Sequence, residues 1–520
     1  MGPFAPRTML ESKTTSPAIL FPRFERWGLP IVVAMAGLRL VMAAVVPLSP
    51  DESYYWLWTR PVQLSYLDHP GMVGWWIWAG VHLLGDTALG VRIPAVLSAL
   101  LTSALVWNSG QVAWGSREAG ARAAIWLNAT ILFNASGVLM TPDAPLLLFW
   151  SVAVWAIVHL VDDGRARWLY VAAIACGLGA ISKYTMGLIV PGAVATFLIF
   201  PNLRRWLGSI HFWLALVLGL CCTAPVMLWN RANGWASIHK QFDHAFSSGV
   251  THPLTDFVRF VVAQAGLITP LLFLLVLWGS GWALAAGWMR RRADWFLLGA
   301  LSLPIIVFFA AHALENVVQA HWPGPAYIGG AIAAAGIPAM GLTRRGWRWF
   351  LVAAPALGLA MTLVVFFQAA TALLPVPTIT DPTKRLAGWD TLAAATQQAR
   401  DAHPGAFLFV AKHEVSGILS FRLADHPDVF IVGGPMRPSF YGAEDVAQLL
   451  GHDGILVSNS REGDTHNYDS YFEHLTPLAE VTLLWGGRVA DHYRLTLGQG
   501  YRGGLFVEGD GYGGIWDKPK

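Results

Sequence analysis

The sequence predicts a mostly α, polytopic membrane protein of about 11 transmembrane helices with a C-terminal extracytoplasmic α/β domain. Three observations predict it. Of 520 residues, 55% are hydrophobic and only 13% are charged, with 26 Trp and 26 Phe and a mean hydropathy of +0.48. Soluble globular chains carry about 25% charged residues. Apolar runs long enough to span a bilayer recur up to about residue 374. After residue 375 charges, Gly and turn signals become frequent.

The spans are expected at 29–48, 88–109, 120–139, 144–161, 168–185, 186–201, 210–229, 259–283, 295–312, 322–341 and 347–372. The two runs that meet near Lys183 admit one long helix as an alternative. Residues 1–28 read as a polar cytoplasmic tail without a cleavable signal, 29–374 as the membrane part with an interfacial loop at 49–87, and 375–520 as the α/β domain. If the N-terminus is cytoplasmic, the inner loops carry Arg117 to Arg122, Arg165 and Arg167, Arg204-Arg205, Arg290-Arg291-Arg292 and Arg344-Arg345 with Arg348. The opposite loops carry Asp51, Glu52, Asp68, Asp143, Asp243, Asp256 and Glu315. Lys and Arg concentrate on the cytoplasmic side, so this asymmetry puts the N-terminus inside, and an odd span count puts the C-terminal domain outside. Within that domain 406–411, 428–432, 454–458, 478–485 and 489–497 read as strands, and 415–423 and 443–450 as helices.

The net charge of +3 implies no polyanionic partner and no nucleic acid. Cys176, Cys221 and Cys222 all lie in apolar runs and suggest no disulfide framework. Within the C-terminal domain neither a Gly-rich phosphate loop nor a metal-ligand spacing is visible.

The first outer loop, 49–78, is the most informative segment. Ser49, Pro50 and Glu52 match a capping box with Pro at the first helical position, which explains Glu52 structurally. Capping does not require Asp51. Tyr54, Tyr55, Trp56, Trp58, Tyr66, Trp75 and Trp76 surround the two carboxylates on a stretch too polar to span, as suits a helix lying in the interface. Asp68-His69-Pro70 can cap a second interfacial helix or contact substrate. Thr141-Pro142-Asp143 opens a span on the same side, so Asp143 is either a helix-dipole partner or a site carboxylate. Lys183, followed by Tyr184, either snorkels to the interface or presents an ammonium to a phosphate. His321-Trp322-Pro323-Gly324-Pro325 opens a later span and frees backbone groups, a pattern that lines cavities.

Taken in order, these blocks resemble the GT-C superfamily of membrane glycosyltransferases. The resemblance is narrower to the bacterial branch related to protein O-mannosyltransferases and to lipid A aminoarabinose or galacturonic acid transferases. It rests on Asp51-Glu52-Ser53-Tyr54-Tyr55-Trp56, Tyr66-Leu67-Asp68-His69-Pro70-Gly71, Thr141-Pro142-Asp143-Ala144-Pro145, Ser182-Lys183-Tyr184-Thr185 and His321-Trp322-Pro323, with Asp381-Pro382, Arg385-Leu386 and Gly388-Trp389 as a link into the outer domain. Gly71 stands where a second Pro is common. The resemblance implies a polyprenyl-phosphate-linked sugar donor, an acceptor that is a lipid such as lipid A, a glycan or a protein, and inverting transfer on the outer face of the bacterial inner membrane. It leaves metal use open, with a divalent cation shared by Asp51 and Asp143 as one option. On this reading Asp51 is the general base, Glu52 its alternate or an acceptor-orienting group, and Asp143 orients the acceptor. Lys183 and His321 face the donor phosphate, and Tyr54, Tyr55, Asp68, His69, Tyr184 and Trp322 contact substrate. The competing class is a lipid or glycan flippase without transferase activity.

Overall fold

A computed structural model describes residues 24–246, 252–340, 345–386, 388–432, 446–460 and 468–506. The membrane part runs α1 Phe24–Val45, α2 Pro50–Leu57, α3 Met72–Leu84, α4 Ala88–Trp114, α5 Arg117–Asn128, α6 Ile131–Ser136, α7 Asp143–Asp163 and α8 Arg167–Ala180. It continues with α9 Ile189–Ile199, α10 Pro201–Arg204, α11 Ile210–Cys221, α12 Ala224–Ala232, α13 Ala236–Phe246, α14 Pro253–Ile268, α15 Pro270–Met289, α16 Ala293–Ala300, α17 Leu303–His312, α18 Ala326–Ala335 and α19 Arg345–Thr371. The C-terminal region adds α20 Trp389–Ala402 and α21 His413–Arg422, with β1 Phe407–Val410, β2 Val429–Ile431, β3 Gly454–Asn459, β4 His474–Trp485 and β5 Arg488–Gln499. The chain is a multi-pass membrane protein.

Among the described residues six helices are long and apolar enough to cross a membrane, or eight if each of two bent pairs is one span. The expected eleven are not reached, for local physical reasons. The run 120–139 breaks at Thr130, whose hydroxyl accepts from the Phe133 amide and starts α6. The run 259–283 breaks at Thr269, which sits at φ +71 before Pro270, so the span is α15 and α14 is a separate element. The helices at 167–180 and 326–335 are only 10–17 residues long. Conversely, α1 begins at Phe24 rather than at residue 29. The Glu118 carboxylate accepts from the Phe24 and Glu25 amides, both at 2.9 Å, and caps the helix from another element. The remainder of the expected tail lies outside the described residues.

The Arg-rich loops gather at one end of the bundle. Arg292 donates to the Ala113 carbonyl at 2.7 Å, Arg122 to the Ala335 carbonyl at 3.0 Å, and Arg290 lies over Trp282 and Trp295. The acidic helix starts, α2 and α7, lie at the other end.

The C-terminal sheet has the order β2-β1-β3-β5-β4, with β2, β1 and β3 parallel and β5 and β4 antiparallel. All five expected strands are present. Continuous apolar runs at β1 and β2 match their burial on both faces. Helices α20 and α21 cover one face through Leu392, Ile418 and Leu419. An aromatic cluster of Phe407, Phe409, Phe472 and Tyr501 covers the other. The expected helix at 443–450 lies partly outside the described residues. The helix at 389–402 was not anticipated.

Two anchors fix this region to the membrane part. Arg488 donates to the Leu374 and Val376 carbonyls just after α19. Helix α21 lies directly on α2: a Cβ placed at Gly417 would meet the Tyr54 backbone nitrogen at 2.5 Å, so only Gly permits the approach. Trp56 packs edge-on to Phe421, and Arg60 donates to the His426 carbonyl at 2.6 Å. Gly417→Leu is expected to force α21 off α2 at a cost of about 1–3 kcal/mol. Limited proteolysis of the purified variant should then cut the C-terminal region faster than wild type; an unchanged rate would refute the contact.

Candidate active site

Helix α2 is set by the capping box the sequence predicts: Ser49 Oγ accepts from the Glu52 amide, and the Glu52 carboxylate accepts from the Ser49 amide. Glu52 does more than cap. It is fully buried and receives Arg92 bidentately, Nε and Nη2 each at 2.7 Å, together with the Met140 amide at 2.9 Å. Arg92 in turn donates to the carbonyls of Val46 and Pro47. Burial pushes the Glu52 carboxyl up, but the Arg92 charge and its hydrogen bonds, with the Ser49 and Met140 amides, outweigh it and hold the group ionised. Every lone-pair direction of this carboxylate is occupied, which fits a joint between α2, α4 and the start of α7 rather than a base.

Asp51, one residue earlier, is differently placed. Its side chain is 43% exposed, and its nearest cation, Arg385, lies at 3.6 Å. Arg385 also reaches Glu414 of α21 at 3.7 Å. Burial raises the Asp51 carboxyl above its ordinary range, Arg385 opposes this, and Glu52 adds to it. A carboxylate that is ionised, loosely held and raised in basicity is suited to take a proton.

Two lysine–carboxylate pairs flank it. Lys183 sits at the break that ends α8, in extended backbone, and donates to both oxygens of Asp143 at 2.8 and 3.0 Å. His321 Nε2 approaches the same carboxylate at 3.6 Å. Asp68 takes Lys240 of α13 and the Tyr54 hydroxyl, while Gln241 donates to the Asp68 carbonyl at 2.7 Å. The loop that carries Asp68 is pinned to the α8 end by the Met72 amide, which donates to the Ile181 carbonyl.

Tyr55 stands between the groups. Burial and then the charges of Asp51 and Asp68, with Tyr54 and Asp143, push its hydroxyl well above the usual tyrosine range, so it stays protonated as a donor. Burial lowers His69 to about 3, with Lys183 in the same sense and Asp68 and Asp143 opposing. Its Nδ1 is buried without a hydrogen bond among the described residues. Burial likewise lowers His321 to about 4, with Lys183 in the same sense and Asp143 opposing, so it is a neutral imidazole near pH 7. Trp322 packs near Phe309 in the helix bundle.

An apolar cavity of about 420 Å³ opens beside this cluster. Ile181 and Tyr184 line it on one side, Val226 and Met227 on another, and Gln241 and Phe242 close it towards Asp68. Among the described residues no three His, Cys, Asp or Glu converge as a metal site, and Lys183 occupies the Asp143 carboxylate.

The sequence did not single out Arg92 or Lys240. Arg92 carried a signal, since a charge in an apolar run needs a partner. Lys240 is a cation on the face where most of the acidic loop residues lie. Glu414 and His413, whose ring lies 4.5 Å from that of Tyr54, come from the C-terminal region and had no local signal.

Residues 68–229 match the family model described as dolichyl-phosphate-mannose-protein mannosyltransferase. The chain is 26% identical over 318 residues to a lipid A galacturonosyltransferase of Rhizobium johnstonii, covering 59% of this chain and 65% of that one. It is 27% identical over 327 residues to an undecaprenyl phosphate-α-4-amino-4-deoxy-L-arabinose arabinosyl transferase of Sodalis glossinidius, covering 55% of each. The matches thus span between about half and two thirds of these relatives' length. The fold is similar to that of ArnT from Cupriavidus metallidurans, with a TM-score of 0.61 at 16% identity over 91% of this chain and 98% of that one. It is also similar to an Archaeoglobus fulgidus oligosaccharyltransferase, with a TM-score of 0.50 at 13% identity over 83% and 69%. The chain therefore shares the fold of these two structures.

As a general base Asp51 would act only when ionised, so its raised basicity would make activity fall as pH drops through a value above the ordinary carboxylate range. Arg385 is the influence that holds that value down. Arg385→Gln is expected to move the acid limb of the kcat profile to higher pH, and Arg385→Lys to restore it. A limb that stays in place, or moves to lower pH, would contradict the assignment.

Proposed function

We propose that this multi-pass chain of the GT-C fold is an inverting glycosyltransferase that moves a sugar from a polyprenyl-phosphate donor to a cell-envelope acceptor, on the outer face of a bacterial inner membrane, with its N-terminus cytoplasmic. The observation that carries the reading is the apolar cavity beside two lysines and a loosely held carboxylate. A polyprenyl-phosphate sugar has the same layout: an apolar chain, an anionic phosphate and an electrophilic anomeric carbon. The similar lipid A galacturonosyltransferase and undecaprenyl phosphate-aminoarabinose transferase support this donor class and favour a lipid acceptor.

The steps follow from the side chains. The polyprenyl chain enters the cavity along Tyr184 and Met227. Its phosphate meets the Lys183 and Lys240 ammoniums, which Asp143 and Asp68 hold in place. Tyr55 and neutral His321 donate hydrogen bonds. The acceptor hydroxyl gives its proton to Asp51 and attacks the anomeric carbon from the face opposite the phosphate. The bond from that carbon to the phosphate oxygen breaks, and the electron pair leaves on the lipid phosphate. One displacement inverts the anomeric centre. Charge grows on the leaving phosphate, and preorganised cations in a partly dehydrated site stabilise it; removing one such donor typically costs about 10²–10³ in rate. The position of the ionisable groups at the starts of α2 and α7, on one membrane face, favours interfacial chemistry over the midplane site of a flippase.

Mass spectrometry of envelope lipids and glycans from strains with and without the gene tests the reading. The gene is expected to add one sugar mass to an envelope acceptor, and the purified protein to release polyprenyl phosphate from its sugar conjugate. Identical envelope masses, with the lipid-linked sugar merely redistributed between leaflets, would point to the flippase instead.

A further inference from the structure

Behind His321 lies a polar chain that crosses three elements. Gln264 of α14 is fully buried, and its side-chain amide is used at both ends. Its Oε1 accepts from the Tyr327 hydroxyl of α18 at 2.7 Å, and its Nε2 donates to the Ala320 carbonyl at 2.8 Å. Tyr327 is itself buried.

The Ala320 carbonyl needs this donor for a local reason. In a helical turn it would accept from the amide of residue 323 or 324. Pro323 has no N–H. The Gly324 amide donates instead to the His321 carbonyl, at 2.9 Å. Gln264 supplies from another helix the donor that this turn lacks.

These bonds fix the backbone at His321. The Ala320 carbonyl and the His321 N–H belong to one planar peptide unit, so holding the carbonyl sets the plane on one side of the His321 Cα. On the other side the Gly324 amide holds the His321 carbonyl, and the Trp322 amide of that same unit donates to the Gln319 carbonyl at 3.1 Å. With both flanking planes held, only the side-chain torsions of His321 stay free. Its Nε2 stands 3.6 Å from the Asp143 carboxylate that Lys183 also holds. A tie that served only to join α14 to α18 would need the Tyr327 bond alone. The second bond ends on the peptide that carries His321.

We propose that Gln264 and Tyr327 are positioning residues, which aim His321 at the phosphate of the lipid-linked donor without touching that donor themselves. The inference rests on the polyprenyl-phosphate reading of the site. A neutral imidazole offers a phosphate one directional N–H and no point charge, so its contribution depends on its aim.

The test uses the full chain in detergent micelles with undecaprenyl phosphate as the probe. Binding is followed by microscale thermophoresis and folding by thermal unfolding. His321→Ala is expected to weaken binding about tenfold, and Gln264→Leu about fivefold, as the loss or misdirection of one hydrogen bond to a charged group would. Tyr327→Phe removes a single oxygen and is expected to weaken binding about twofold. It carries the test if Gln264→Leu does not fold. In the His321→Ala background both second substitutions should be silent, because the group they aim is gone. Losses that multiply in the double variants, or binding unchanged in both single variants, would overturn the positioning role and leave the donor reading intact. A wild type that does not bind undecaprenyl phosphate would overturn the donor reading, and the positioning role with it.

Discussion

The buried pair of Glu52 and Arg92 holds the rest of the site in place. It joins the first turn of α2 to the start of α4, and through the Val46, Pro47 and Met140 backbone groups it also gathers the end of α1 and the approach to α7. Removing one member would strand a charge in a dry site at a cost of about 3–5 kcal/mol. Because every oxygen of Glu52 is used, its neighbour Asp51 is projected from a rigid base. Two adjacent carboxylates thus divide the work, one fixing the helix and the other exposed to chemistry.

The remaining charges are arranged on the same logic. Neither site lysine is free: Lys183 rests on Asp143 and Lys240 on Asp68. A cation held by a carboxylate stays in position when no phosphate is present, and it can share its remaining donors when one arrives. Tyr54 and His413 then couple this arrangement to the C-terminal region, which closes over α2 through Gly417. The C-terminal region is therefore a wall of the site, and Arg385 bridges Asp51 to Glu414.

Local chemistry was legible in the sequence. The Ser49-Pro50-Asp51-Glu52 cap reads directly as the start of α2, and short apolar runs read as the five strands. Pairings across long separations were not legible. Arg92 is 40 residues from Glu52 and Lys240 is 172 from Asp68, so only the fold brings them together. The sequence accordingly treated Asp143 and Lys183 as separate actors, where the structure makes them one ion pair. Span counting failed where a single residue breaks an apolar run, as at Thr130 and Thr269, because hydropathy averages over such breaks. It also missed the start of α1, whose cap comes from Glu118, 94 residues away.

The division of labour between the two adjacent carboxylates is tested most directly by single-turnover sugar transfer with Asp51→Asn and Glu52→Gln, each normalised to folded protein by thermal unfolding. The account predicts that Asp51→Asn keeps the wild-type melting temperature and loses transfer by about 10²-fold or more. It predicts that Glu52→Gln lowers the melting temperature while the fraction that remains folded still transfers sugar. Wild-type transfer by Asp51→Asn, or a fully stable but inactive Glu52→Gln, would contradict it.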